Sequence, residues 1–154
     1  MSTLRRASCQ LAAALSGLLL AVGIQAGESA TALSLRLETG THVAAIRAAS
    51  MDSAGRFVVT ASEDKSARVW DSASGTLLSI FRPPSAAGNN GKLFAAAMAP
   101  DGLLYATAGW SAGNDLYLVG RNDGQIIHRI AGLPNIVTHL AFSPDGKTLV
   151  VGLW

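Results

Sequence analysis

Three turns of similar composition recur along the chain: Asp52-Ser53-Ala54-Gly55, Ala99-Pro100-Asp101-Gly102 and Ser143-Pro144-Asp145-Gly146. Their glycines lie 47 and 44 residues apart. A period of this length constrains the fold strongly, because each unit is one supersecondary piece that buries its faces only by stacking on its neighbours. Ahead of each turn, apolar residues recur at the same offsets: Ile46, Ala49 and Met51; then Leu93, Ala96 and Met98; then Val137, Leu140 and Phe142. Behind each turn runs a stretch of strand formers: Phe57 to Thr60, Leu104 to Thr107 and Thr148 to Val151. An Asp-Gly pair or its equivalent between two such runs makes a hairpin, since glycine accepts the positive φ the turn demands.

The pattern extends further in the first two units. Ala67 to Trp70 and Leu77 to Phe81 flank a loop through Asp71-Ser72-Ala73-Ser74-Gly75, and Leu116 to Val119 and Gln125 to Ile130 flank Asn122-Asp123-Gly124. Four short antiparallel strands per repeat is the layout of a propeller blade. The expected fold is therefore all-β, a partial β-propeller of four-stranded antiparallel blades, with about two and a half blades present. Propellers have roughly four to eight blades, so the chain reads as an N-terminal fragment of a longer protein. An isolated piece would expose two blade faces, and self-association is expected of it.

Close to half the residues are hydrophobic, and the net charge is +2. That composition excludes a charged disordered tail and suits many buried strands. Lys and Arg cluster only at Arg5 and Arg6, which argues against nucleic acid as a partner. Those two arginines precede the uncharged apolar run Leu11 to Ile24, and Ile24-Gln25-Ala26 offers a cleavage site before Gly27. Residues 1–26 thus read as a signal peptide, with an uncleaved anchor as the alternative. The mature protein is expected to be exported, periplasmic or secreted, and off the membrane after cleavage. Cys9 is the only cysteine and lies within that segment, so the mature chain has no disulfide or thiolate metal site.

In Thr41-His42, Asp64 and Val69-Trp70-Asp71, the first unit resembles the WD-repeat family. The bacterial exported members that it resembles are sometimes fused to a caspase-like peptidase domain. The resemblance implies a structural hydrogen-bonded tetrad of His42, Thr60, Asp64 and Trp70, in which the indole N–H donates to the threonine hydroxyl. It also implies that 27–40, where Leu33, Leu35 and Leu37 alternate with polar residues, is a ring-closing strand region. Blade 1 then spans 41–84, a degenerate blade 2 spans 85–134, and an incomplete blade 3 spans 135–154. In blade 2, Asn89 stands near the histidine position, Val119 replaces the tryptophan, and the segment from Gly109 to Asp115 is longer than its counterpart.

His42, Thr60 and Asp64 also match a nucleophilic triad in residue type, but the family spacing accounts for all three as structural. His128 and His139 have no acidic or histidine neighbour at ligand spacing, and Asn114-Asp115 and Asn122-Asp123-Gly124 read as turns, so no metal or cofactor is expected. The Pro- and Gly-rich connection with Arg82, Pro83, Pro84, Asn89 and Asn90, together with Trp110 at the lengthened loop, is the candidate interaction surface. The expected function is a scaffold for a protein partner without chemistry of its own. The alternative is the regulatory propeller of a caspase-like cysteine peptidase whose catalytic domain is absent here.

Overall fold

The computed structural model describes residues 40–154. Residues 1–26, expected to be a signal segment, with Cys9, and the alternating stretch from Leu33 to Leu37 lie outside the described residues. Among the described residues, ten strands form two four-stranded antiparallel sheets and one two-stranded sheet, each in simple sequential order. Blade 1 holds β1 (Ile46–Met51), β2 (Phe57–Ser62), β3 (Ala67–Asp71) and β4 (Leu77–Phe81). Blade 2 holds β5 (Lys92–Met98), β6 (Leu104–Trp110), β7 (Leu116–Gly120) and β8 (Ile126–Ile130), and blade 3 holds β9 (Val137–Phe142) and β10 (Leu149–Leu153). The architecture is all-β, a partial β-propeller with two complete four-stranded blades and two strands of a third. The hairpin glycines Gly55, Gly102 and Gly146 have φ of 69°, 70° and 70°, the left-handed conformation the repeat requires of them.

In blade 2 the strands β5 to β7 are packed on both faces. Along β7, Tyr117 and Val119 join a core shared with Val59, Val69 and Phe81 of blade 1. The intervening Leu116 and Leu118 join a second core with Val137, Leu140 and Leu149 of blade 3. Strand alternation therefore sends one face of blade 2 to each neighbour.

The inner strands β1, β5 and β9 break that alternation once each. Ile46 pairs with Ser62 but Ala48 with Ala61, leaving Arg47 as an extra residue. Phe94 is extra between Leu93 and Ala95, and Thr138 between Val137 and His139. These are β-bulges, which re-aim a side chain while shifting the phase of the strand. On β5 the shift is visible: Leu93 packs toward blade 1, Ala95 toward blade 3, and Ala96 and Met98 again toward blade 1. The three bulges keep the spacing of the turn glycines, so they belong to the repeat.

Blade 2 compensates for its missing tryptophan by exchanging sizes across a strand pair. Val58 of β2 pairs with Trp70 of β3, whereas Tyr105 of β6 pairs with Val119 of β7. Each pair holds one large and one small side chain; Tyr105 and Val119 lie in the core shared with blade 1, whereas Val58 and Trp70 are half-buried.

The loops gather on two rims. On one, Ser53 N–H donates to Pro100 O at 3.1 Å and Ser79 Oγ–H to Arg121 O at 2.5 Å. On the other, Lys92 Nζ reaches Glu63 at 2.9 Å, and Gly132 N–H donates to Gly113 O at 2.8 Å. The bulged residues lie toward this second rim.

Candidate functional site

The structure brings His42, Thr60, Asp64 and Trp70 into one hydrogen-bonded chain. Trp70 Nε1–H donates to Thr60 Oγ1 at 2.9 Å, Thr60 Oγ1 lies 2.7 Å from His42 Nε2, and His42 Nδ1 lies 2.8 Å from Asp64 Oδ2. Every proton is used if the imidazole is neutral and carries its hydrogen on Nδ1. Asp64 is tied further by Ser66 Oγ–H at 2.6 Å, Ser66 N–H at 3.0 Å and Val43 N–H at 3.2 Å. Burial opposes its charge, yet the hydrogen bonds from Ser66, His42 and Val43 outweigh burial and hold its pKa below the usual carboxylate value. The hydroxyl–imidazole–carboxylate order mimics a nucleophilic triad, but the His42 and Asp64 side chains are only 4% and 2% exposed. The Thr60 oxygen also accepts the indole proton, and Thr60 is half-buried rather than enclosed. The chain pins the loop before β1 to the β2–β3 turn.

At the equivalent place in blade 2 a different network stands, which sequence reasoning missed. Thr107, the counterpart of Thr60, donates to Ala95 O at 3.0 Å, and Asn89 is exposed. Asp115 occupies the position of Ser66, just after a left-handed residue in both turns: Lys65 with φ 65° and Asn114 with φ 46°. Its Oδ2 accepts from Arg129 Nη2 at 2.8 Å and from the Tyr117 hydroxyl at 3.2 Å. Its Oδ1 is buried without a hydrogen-bond partner. Burial first, then Asp115, pushes the Tyr117 pKa up to about 12, and Asp115 raises that of Arg129.

Two open features remain on this rim. Toward the inner strands, the bulged Arg47, Phe94 and Thr138 line a space of about 280 Å³ together with Trp154. Arg47 and Lys92 both bind Glu63, whose pKa falls through hydrogen bonds from Lys92 and Arg47, so the carboxylate links blade 1 to blade 2. Toward the outer edge, a groove of about 280 Å³ runs between the β4–β5 connection and the β6–β7 turn. Of the six residues expected to form an interaction loop, Pro84 and Asn90 line this groove. Asn89 and Trp110 are exposed outside its lining, and Arg82 is half-buried. Pro83 is buried, so it shapes the loop and cannot itself be a contact. Among the described residues no cluster of His, Cys, Asp or Glu could hold a metal, and no helix is long and apolar enough to cross a membrane.

Stacked antiparallel blades with a hydrogen-bonded rim define a propeller-type repeat protein. Within that class, the family model of the WD domain, G-beta repeat, matches residues 34–71 and 124–154. No curated protein matches the chain. The unmatched stretch between the two segments holds β4 of blade 1 and β5, β6 and β7 of blade 2, where the tetrad gives way to Asp115 and Val119 replaces the tryptophan. WD repeats build propeller scaffolds for protein interaction, typically non-catalytic ones.

Proposed function

We propose that this protein is a protein-interaction scaffold that engages its partner with the rim carrying the three bulges. One observation carries the reading. The repeat holds the backbone constant at its bulges while placing a guanidinium, a phenyl ring and a hydroxyl there, in Arg47, Phe94 and Thr138. On that frame the three side chains converge, with Trp154, on one open space, a mixed guanidinium, aromatic and hydroxyl surface of the kind a protein partner contacts. None of the three belongs to either buried core: Arg47 is exposed and paired with Glu63, and Phe94 and Thr138 are half-buried. Export belongs to the same proposal, supported by Arg5, Arg6 and the apolar run from Leu11 to Ile24.

The test is a peptide-display selection on the full chain, followed by substitution. Phe94→Ala is expected to weaken selected binders by at least about tenfold, as removal of an aromatic anchor does. Asp101→Ala and Lys147→Gln, on the opposite rim, are expected to leave binding unchanged. Binders that tolerate Phe94→Ala, Arg47→Ser and Thr138→Ala but are lost on substitution of the opposite rim would refute the proposal.

A further inference from the structure

The outer groove of blade 2 is separate from the bulge surface and has its own chemistry. Its walls are Pro84 and Ala86 on one side and the Ser111–Asp115 turn on the other, with Asn90 and Arg129 between them. Arg129 is 53% exposed while its partner Asp115 is 6% exposed, so the cation faces out and the carboxylate is hidden behind it. Lys65 Nζ caps the same connection by donating to Ala86 O at 2.7 Å. No exposed acid lines the groove.

The Asp115–Arg129 pair is an expensive arrangement. Burying the Asp115 carboxylate is costly, its pairing with a half-exposed guanidinium returns little because water screens it, and Oδ1 is left without a partner. What the arrangement does provide is a half-exposed guanidinium held at one nitrogen, in a groove that the Asn90 amide also lines. Planar guanidinium groups of this kind take carboxylates in paired hydrogen bonds. The opposite rim has the reverse balance, with Asp71, Asp101, Asp123 and Asp145 against Arg56, Arg121 and Lys147. We infer that the groove between the β4–β5 connection and the β6–β7 turn docks an acidic peptide segment of a partner protein, with Arg129 as its anchoring cation. This rests on the scaffold reading and adds a second contact to it.

Fluorescence anisotropy of a labelled oligoglutamate peptide against the full chain tests the inference, with oligolysine of equal length as the control. Oligoglutamate is expected to bind and oligolysine not to. Arg129→Gln is expected to weaken binding by about tenfold, with partial recovery in Arg129→Lys. Because Arg129→Gln also strips Asp115 of its partner, Asn90→Asp serves as the second variant: it adds a carboxylate to the groove at a loop position, and is expected to weaken binding similarly with an unchanged melting temperature. Equal binding of oligolysine, failure of oligoglutamate to bind, or indifference to both variants would overturn the inference. If the peptide is lost only in Arg47→Ser, it sits on the bulge surface; the groove assignment then falls while the scaffold reading stands.

Discussion

At Thr60 two donors and acceptors meet on one oxygen, so a single hydroxyl decides whether Trp70 and His42 are both satisfied. Thr60→Val keeps the shape and leaves the indole N–H and the imidazole Nε2 unpaired. It is expected to cost about 1–3 kcal/mol in urea denaturation, and Thr60→Ser to recover most of that. The carboxylates set the acid limit. Asp64 is depressed by its hydrogen bonds despite burial, and Asp52 likewise by the Phe57 and Arg56 N–H groups and the Arg56 side chain. A group with a lowered folded pKa contributes its full stability above the unfolded value, about 3.9 for Asp, and loses it as pH falls toward the folded value. Stability should thus be flat through neutral pH and fall below about pH 4, with a shallower fall in Asp64→Asn. The residues of this network were legible in the sequence because each stands at a spacing repeated from a known pattern. Asp115 was not: its cation, Arg129, is 14 residues away across a strand pair, and nothing in the local sequence links them.

Elements were legible wherever period-two alternation met a turn glycine, and all ten strands fall where such runs were read. The bulges were overlooked, although their signal was present. Apolar spacing of three and then two, as in Ile46, Ala49 and Met51, is incompatible with a regular strand and marks one extra residue. The turn glycines differ in a testable way. A Cβ on Gly102 would lie 2.9 Å from Phe57 Cδ2 and 3.1 Å from Asp52 Oδ2, while one on Gly146 meets only Pro100 at 3.5 Å. Both alanine variants carry the left-handed cost of about 1 kcal/mol, and Gly102→Ala should lose clearly more than Gly146→Ala in thermal melts. The size exchange predicts non-additivity. Val119→Trp overpacks against Tyr105 and should cost about 1–3 kcal/mol, and adding Tyr105→Val should restore part of it. Equal losses in the single and double variants would contradict the exchange.

At the scale of the molecule, blade 2 alone among the described blades has a packed neighbour on both faces, and its β5, β6 and β7 carry most of the buried positions. The outer strand β8 is exposed along its whole length. Amide exchange should therefore be slowest in β5–β7 and fastest in β8, and uniform exchange across the sheet would contradict this packing. Propeller architecture was readable from the repeat alone, because a fixed period fixes what stacks on what. The working surface was not, since a rim is assembled from loops tens of residues apart. The most direct test of the central claim is hydrogen exchange of the full chain with and without its tightest selected peptide. The account predicts added protection around Arg47, Phe94 and Thr138, with the loops at 52–56, 99–103 and 143–148 unchanged. Protection confined to those three loops would place the partner on the opposite rim and contradict it.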